Sequence, residues 1–182
     1  FVSLQRKCTG FCLSCSLLIN SVIYMMRFLK PSLILILLAL SGASCLKKSE
    51  ACKQKSPSSE ADAMLAFATA SGITPTTHSS GLMYQIINPG SGATPTLNST
   101  IYITYTGKFL DGTVFDQQTN AAATGWPLAQ LIEGWRVGIP LVQKGGQIKL
   151  IVPSSMAYGC DGYAAIPANS ILYFDITLVN FQ

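Results

Sequence analysis

From Gly81 to the end of the chain, short alternations of apolar and polar residues are separated by turn residues, and they leave room for only one short helix. Alternation with a period of two is the pattern of a half-buried β-strand. Asp111-Gly112 predicts a hairpin turn. We therefore expect strands over residues 82–87, 101–109, 113–116, 147–152 and 171–181.

The single helix is expected after Trp135, over residues 136–143, with Gly145-Gly146 ending it. Pro140 can be accommodated only because this helix is so short. Strands, one short helix and then further strands predict an α+β domain over residues 81–182, in which a twisted antiparallel β-sheet wraps around the helix.

The apolar excess of the chain, in which 49% of residues are hydrophobic, is concentrated near the N-terminus. Residues 32–40 read SLILILLAL and follow Arg27 and Lys30. This run is shorter than the roughly 20 apolar residues that span a bilayer, which predicts a signal peptide over residues 25–45. The small residues before Cys45 resemble a bacterial lipoprotein cleavage site, at which that cysteine is lipidated. An ordinary signal peptide cut nearby and an uncleaved anchor are the alternatives.

Residues 1–24 have no domain pattern, and we interpret them as an upstream stretch that is mis-assigned or untranslated, with Met25 or Met26 as the true start. Three cysteines lie there, but no second group of ligands follows, so we expect no zinc site. These cysteines are Cys8, Cys12 and Cys15.

The formal net charge of +4 belongs to the leader. Four of the twelve basic residues precede Cys45, which leaves eight basic against eight acidic residues. No basic patch interleaved with aromatic residues remains, so the sequence predicts no nucleic-acid partner.

Residues 46–80 are expected to form a polar tether with a short helix over residues 58–70. The mature chain would retain Cys52 in this tether and Cys160 in a later loop. A disulfide between them is possible in an exported protein but is not indicated by the sequence, and Cys160 is interpreted as an incidental small residue.

Covalent catalysis has little support in this sequence. The only histidine, His78, has no acidic or cysteine neighbour and is expected at the surface. There are no paired carboxylates in a motif and no phosphate-binding glycine loop. The sequence therefore predicts no cofactor and no metal ion.

Four motifs fall in one order: Tyr-Thr-Gly at 105–107, Asp-Gly-Thr-Val-Phe-Asp at 111–116, Ile-Glu-Gly-Trp at 132–135 and Ala-Tyr-Gly at 157–159. Together they resemble the FKBP-type peptidyl-prolyl cis-trans isomerases, and the resemblance runs from about Gly81 to Gln182. It implies proline-containing polypeptides as clients and the macrolide inhibitors of that family as ligands.

The resemblance also implies roles for individual residues. Trp135 would lie under the prolyl ring, the backbone N–H of Ile132 and the hydroxyl of Tyr158 would hold substrate carbonyls, and Asp116 would be the pocket carboxylate. The walls would be Tyr105, Phe115, Leu131, Ile132, Ile166 and Phe174. Each of the apolar residues could instead be plain core, and Asp116 could merely cap a turn.

The chain departs from the family pattern in three places. No arginine follows Asp116 between Gln117 and Gly125, the aromatic wall before the floor is represented only by Trp126, and the loop after Tyr158 is about one residue shorter than common versions. These departures affect the expected substrate preference and inhibitor affinity more than the fold.

Two functions from different classes follow. The first is an isomerase that acts on Xaa-Pro bonds of exported proteins, by desolvation and preferential binding of the twisted amide in an aromatic pocket. The second is a non-catalytic proline-peptide binding or chaperone module. For either, the leader predicts an exported protein anchored by lipid at Cys45 in the bacterial cell envelope, at the outer membrane facing the periplasm.

Overall fold

The computed structural model describes residues 52–182. The upstream stretch, the signal peptide over residues 25–45 and the lipidation site at Cys45 lie outside the described residues. Among residues 52–182, no helix combines the length and the apolar character that crossing a bilayer demands.

Residues 52–182 form nine helices and strands in addition to several turns of 3-10 helix. They are α1 Pro57–Ala70, β1 Thr76–Thr77, β2 Met83–Asn88, β3 Thr100–Phe109, β4 Val114–Gln118, β5 Trp126–Pro127, α2 Glu133–Gly138, β6 Gln147–Val152 and β7 Leu172–Phe181.

The seven strands form one antiparallel sheet in the order β1-β2-β6-β7-β3-β4, and β5 pairs with the start of β3. Burial alternates along β3 from Ile101 to Gly107, as the period of two predicts. The inner face of the sheet packs around α2. The α+β fold predicted from the sequence, a sheet wrapped around one short helix, is therefore confirmed.

Helix α2 begins at Glu133 and ends at Gly138, so the prediction of a helix over residues 136–143 was wrong in its position. Two glycines explain the difference, because they lie where α2 touches β6. A Cβ at Gly134 would lie 2.5 Å from Cγ1 of Val152, and one at Gly138 would lie 2.7 Å from Cδ1 of Leu150. Pro140 falls in the 3-10 turn Ile139–Leu141 that follows.

Helix α1 covers part of the outer face of the sheet. Met64 and Ala68 are fully buried there, in a second core with Met83, Ile151 and Tyr173. The helix begins at the cap residue Ser56, whose side chain accepts a hydrogen bond from the N–H of Ser59. The sheet is thus packed on both faces, with the larger core on the α2 side.

The tether predicted over residues 46–80 is bound to the domain from Cys52 onward. Cys52 and Cys160 form a disulfide across 108 residues. The interpretation of Cys160 as an incidental small residue was therefore wrong, because its sulfur links the N-terminal segment to the loop after β6.

Candidate active site

Trp135 lies in the middle of α2 and is 5% exposed. Because Gly134 and Gly138 bring α2 against β6, the indole of Trp135 is held close to the inner face of the sheet. Its N–H is buried and has no hydrogen-bond acceptor among the described residues. Contacts between rings therefore hold this side chain in place.

Three aromatic rings surround Trp135. The ring of Tyr105 lies 5.0 Å away at 76° to the indole, and the ring of Phe174 lies 5.1 Å away at 81°. Trp126 stacks against the indole at 6.4 Å with an interplanar angle of 29°. Edge-to-face pairs at these distances are the favoured geometry of aromatic side chains, so the floor of the site is well fixed.

Phe115 extends the aromatic cluster along the sheet. Its ring lies 5.6 Å from the ring of Phe174 and almost perpendicular to it. The two rings meet over Gly107, where a Cβ would lie 2.7 Å from Cζ of Phe115 and 3.0 Å from Cε1 of Phe174. A side chain at position 107 would push these walls apart, which explains a glycine in the middle of a strand.

The structure places eight of the nine predicted pocket residues in a single hydrophobic cluster. Four of them are buried: Tyr105, Trp135, Ile166 and Phe174. The other four are partly buried and pack against that core: Phe115, Leu131, Ile132 and Tyr158. Phe109, which was not among the predicted site residues, also packs against this cluster, as does Trp126, the residue that represents the aromatic wall before the floor.

Asp116, the ninth residue, lies on β4 at the rim of this cluster and is exposed. The hydroxyl of Tyr105 donates a 2.5 Å hydrogen bond to its Oδ2. Burial first, and then this hydrogen bond and the charge of Asp116, raise the pKa of Tyr105 far above its usual value. Tyr105 therefore stays protonated and keeps donating to the carboxylate at any physiological pH.

Tyr158 lies in the loop after β6, and its ring stacks on Tyr163 at 5.2 Å with an interplanar angle of 13°. Its hydroxyl forms no hydrogen bond with another described residue. Burial, followed by Tyr163 and Asp116, raises its pKa, so the hydroxyl remains a proton donor. The backbone N–H of Ile132 is likewise not engaged by any described residue, while the Ile132 carbonyl accepts from the N–H groups of Trp135 and Arg136.

The opposite face of the sheet carries a groove of about 340 Å³ that does not suit a prolyl ring. It lies between the outward-facing residues of β3 and β7 and the end of β4. Seven of its nine lining residues are polar or charged, four of them threonines together with Lys108, Gln118 and Asp175, and the other two are Tyr105 and Tyr173. Such polar walls do not desolvate an apolar ring, so we locate the candidate site at the aromatic cluster around Trp135.

The fold and the cluster define an α+β domain with an aromatic cluster around one short helix. Residues 92–179 match the model of the family described as FKBP-type peptidyl-prolyl cis-trans isomerase. Residues 92–179 are therefore assigned to this family.

Curated relatives support the assignment. The FKBP-type peptidyl-prolyl cis-trans isomerase FkpA of Escherichia coli (strain K12) is 38% identical over 107 residues, covering 58% of this chain and 40% of that protein. FkpA of Aeromonas hydrophila is 39% identical over 104 residues, covering 57% and 39%. The chain therefore spans about two fifths of the length of these relatives.

Solved structures agree with the sequence matches. The crystal structure of FkpA from Escherichia coli has a TM-score of 0.58 and 34% identity, covering 70% of this chain and 59% of that one. A peptidyl-prolyl cis-trans isomerase from Pseudomonas syringae pv. tomato has a TM-score of 0.58 and 25% identity, covering 71% and 98%.

Proposed function

We propose that this protein is a peptidyl-prolyl cis-trans isomerase that acts on Xaa-Pro bonds of exported polypeptides. The observation that carries the proposal is the perpendicular packing of Tyr105 and Phe174 around Trp135, which gives a preformed apolar floor for a prolyl ring. The family assignment of residues 92–179 points in the same direction.

The geometry suits this reaction because isomerisation breaks no covalent bond. The barrier of about 20 kcal/mol comes from amide resonance, which is lost as the C–N bond twists. A dry aromatic site removes water from the amide carbonyl, and a site that binds the twisted amide more tightly than either planar form lowers the barrier.

Two polar groups would hold the peptide chain on either side of the proline. The N–H of Ile132 and the hydroxyl of Tyr158 are available donors that border the aromatic cluster, and peptide carbonyls are their natural acceptors. Fixing these carbonyls leaves the twisting bond over Trp135. Asp116, held by Tyr105, would then face that amide from the rim.

The direct test is to follow cis-to-trans relaxation of a short Xaa-Pro peptide with the purified protein. Wild type should accelerate it, and Tyr158→Phe should lower kcat/KM by about fivefold, the equivalent of one hydrogen bond of about 1 kcal/mol. Trp135→Phe should cause a larger loss because the floor shrinks. Tyr84→Phe, on β2, is the matched control and should leave kcat/KM unchanged.

A non-catalytic proline-peptide module is the second candidate. Asp116 forms no ion pair with any residue of 52–182, where the family resemblance implies an arginine partner. In this case the folded protein would bind a proline peptide, lose that binding in Trp135→Phe, and leave the relaxation rate at its uncatalysed value.

Export with a lipid anchor at Cys45 is part of the same proposal. The disulfide between Cys52 and Cys160 supports it, because such bonds form and persist in oxidising compartments. Metabolic labelling with a fatty acid should mark the wild-type protein and not Cys45→Ala, and the wild type should fractionate with the outer membrane. Equal labelling of both proteins would exclude Cys45 as the lipidated residue.

A further inference from the structure

The segment 52–60, which we call the N-terminal clamp, is bound at three points to the loop that carries Tyr158. The disulfide joins Cys52 to Cys160 with a Cα–Cα distance of 5.5 Å. Gln54 donates from Nε2 to the carbonyl of Ser155 at 3.4 Å and accepts at Oε1 from the N–H of Cys160 at 3.3 Å.

The third point is Glu60, in the first turn of α1. Its carboxylate is 3% exposed and accepts hydrogen bonds from the N–H of Ser154 at 2.8 Å and from the hydroxyl of Ser154 at 2.9 Å. These contacts lie on both sides of Tyr158 along the chain. Ser154 and Ser155 precede it, and Cys160 follows two residues after it.

The clamp also packs directly against the backbone beside Tyr158. A Cβ at Gly159 would lie 2.7 Å from Oε1 of Gln54, and Gly159 has a φ of +60°. The side chain of Gln54 therefore occupies the space next to the residue that follows Tyr158. A change at Gln54 or Cys52 reaches the tyrosine through one or two peptide units.

We propose that Cys52 and Gln54 are positioning residues that set the place of the Tyr158 hydroxyl over the aromatic cluster. This inference rests on the proposed function. The Tyr158 hydroxyl makes no hydrogen bond to a described residue, and the ring it stacks on, Tyr163, is 65% exposed. The loop backbone therefore determines the position of the hydroxyl, and the clamp holds that backbone in place.

Positioning of this kind matters because a donor helps only where the substrate carbonyl comes to lie. The loop has bonds of its own, from the N–H of Gly159 to the carbonyl of Ser154 at 2.8 Å and from the N–H of Asn169 to the carbonyl of Gly159 at 2.7 Å. Both join residues within 154–169 and fix the bend of the loop. The clamp adds an attachment from outside it.

A double-mutant cycle tests the proposal on the full-length protein. The paired substitution Cys52→Ser with Cys160→Ser, and separately Gln54→Ala, should each lower kcat/KM on an Xaa-Pro peptide by about twofold to fivefold, which is at most the loss expected from removing the Tyr158 hydroxyl itself. In the Tyr158→Phe background the same substitutions should cause almost no further loss, because the positioned hydroxyl is already gone.

Phe67→Ala is the matched control. Phe67 packs on Tyr173 at the outer face of the sheet, with ring centroids 5.4 Å apart. It lies about two turns of α1 beyond Glu60, so its loss weakens the packing of α1 but removes no hydrogen bond or disulfide of the clamp. It should lower the melting temperature and leave kcat/KM of the folded protein unchanged. Clamp variants that lose activity equally with and without the Tyr158 hydroxyl, or that lose none, would overturn the proposal.

Failure of the proposed isomerase function can be distinguished from failure of the positioning role. If wild type binds a proline peptide without accelerating isomerisation, the same cycle is run on the Kd of that peptide. Weaker binding by the clamp variants that disappears in the Tyr158→Phe background supports the positioning role in a binding module. Losses of affinity that are independent of Tyr158, or no losses, reject it.

Discussion

The hydroxyl of Tyr105 donates a 2.5 Å hydrogen bond to Oδ2 of Asp116, and the ring of the same tyrosine lies 5.0 Å from the indole of Trp135. One side chain thus connects the carboxylate at the rim of the candidate site to its floor. Tyr105 lies opposite Gln118, and Asp116 lies opposite Gly107, so the two side chains are diagonal neighbours across β3 and β4 and the sheet itself sets this geometry.

Tyr105→Phe should keep the ring contact and lose the hydrogen bond. Asp116 is exposed and can turn to water, so we expect the free energy of unfolding to fall by only about 1 kcal/mol. The loss in kcat/KM, expressed as a free energy, should be larger than this loss of stability, because Asp116 is no longer held over the cluster. Asp116→Asn keeps an acceptor for Tyr105 and should cost less stability in denaturant titrations. Equal stability of all three proteins would contradict this account.

Much of the sheet could be predicted from alternation alone. The strands expected over residues 101–109, 147–152 and 171–181 agree with β3, β6 and β7 to within a residue at each end. Strands β1 and β5 were not predicted because, at two residues each, they are too short to show a period. The predicted helix began three residues after α2 begins and ended five residues after α2 ends, because the glycines of α2 look like helix breakers until their contacts with Val152 and Leu150 are known.

The candidate site, like the sheet, could be predicted only in part from the sequence. Motif order identified the residues that gather around Trp135, but it could not place Trp126, whose stacking on the indole depends on the short β3–β5 pairing. The disulfide could not be predicted either, because 108 residues separate its cysteines and sequence alone does not give connectivity. The burial of Glu60 could not be predicted for the same reason, because its hydrogen-bond partner Ser154 is 94 residues away along the chain.

Gly134→Ala tests the close approach of α2 to β6. Alanine is a better helix former than glycine by about 1 kcal/mol, which alone would stabilise α2. The new Cβ would lie 2.5 Å from Cγ1 of Val152, a fully buried and branched side chain, so overpacking should win and destabilise by about 1 to 3 kcal/mol net. Chemical denaturation measures whether the free energy of unfolding falls or rises in Gly134→Ala.

Val152→Ala provides the control for this prediction. It removes the methyl groups that the new Cβ would meet, so the double variant should be less destabilised than the sum of the two single variants. Additive losses would mean that the contact between Gly134 and Val152 does not limit residue size at position 134.

The stability of the protein at high pH should depend on Tyr173. Burial, and to a smaller extent Asp175, raise the pKa of Tyr173 from 10.0 to about 12. A pKa raised in the folded state gives stability that is complete below about pH 10 and is lost as the pH rises toward 12. The free energy of unfolding should therefore fall over this interval, and it should fall less steeply in Tyr173→Phe, which keeps the ring against Phe67. Parallel curves for the two proteins would contradict the assignment.

Glu60 should contribute more to stability than any other charged residue of the N-terminal segment. Glu60→Ala leaves the N–H and the hydroxyl of Ser154 buried without their acceptor, and Ser154 is itself fully buried. Hydrogen bonds to a charged group contribute about 1.5 to 3 kcal/mol each and do not add fully, so a loss of about 2 to 4 kcal/mol is expected in denaturant titrations.

Lys55, 3.9 Å from Glu60 and about half exposed, is the control. Lys55→Ala should cost less than about 0.5 kcal/mol because solvent screens the pair. Similar losses from both substitutions would mean that the ion pair, rather than Ser154, is the reason for burying this carboxylate.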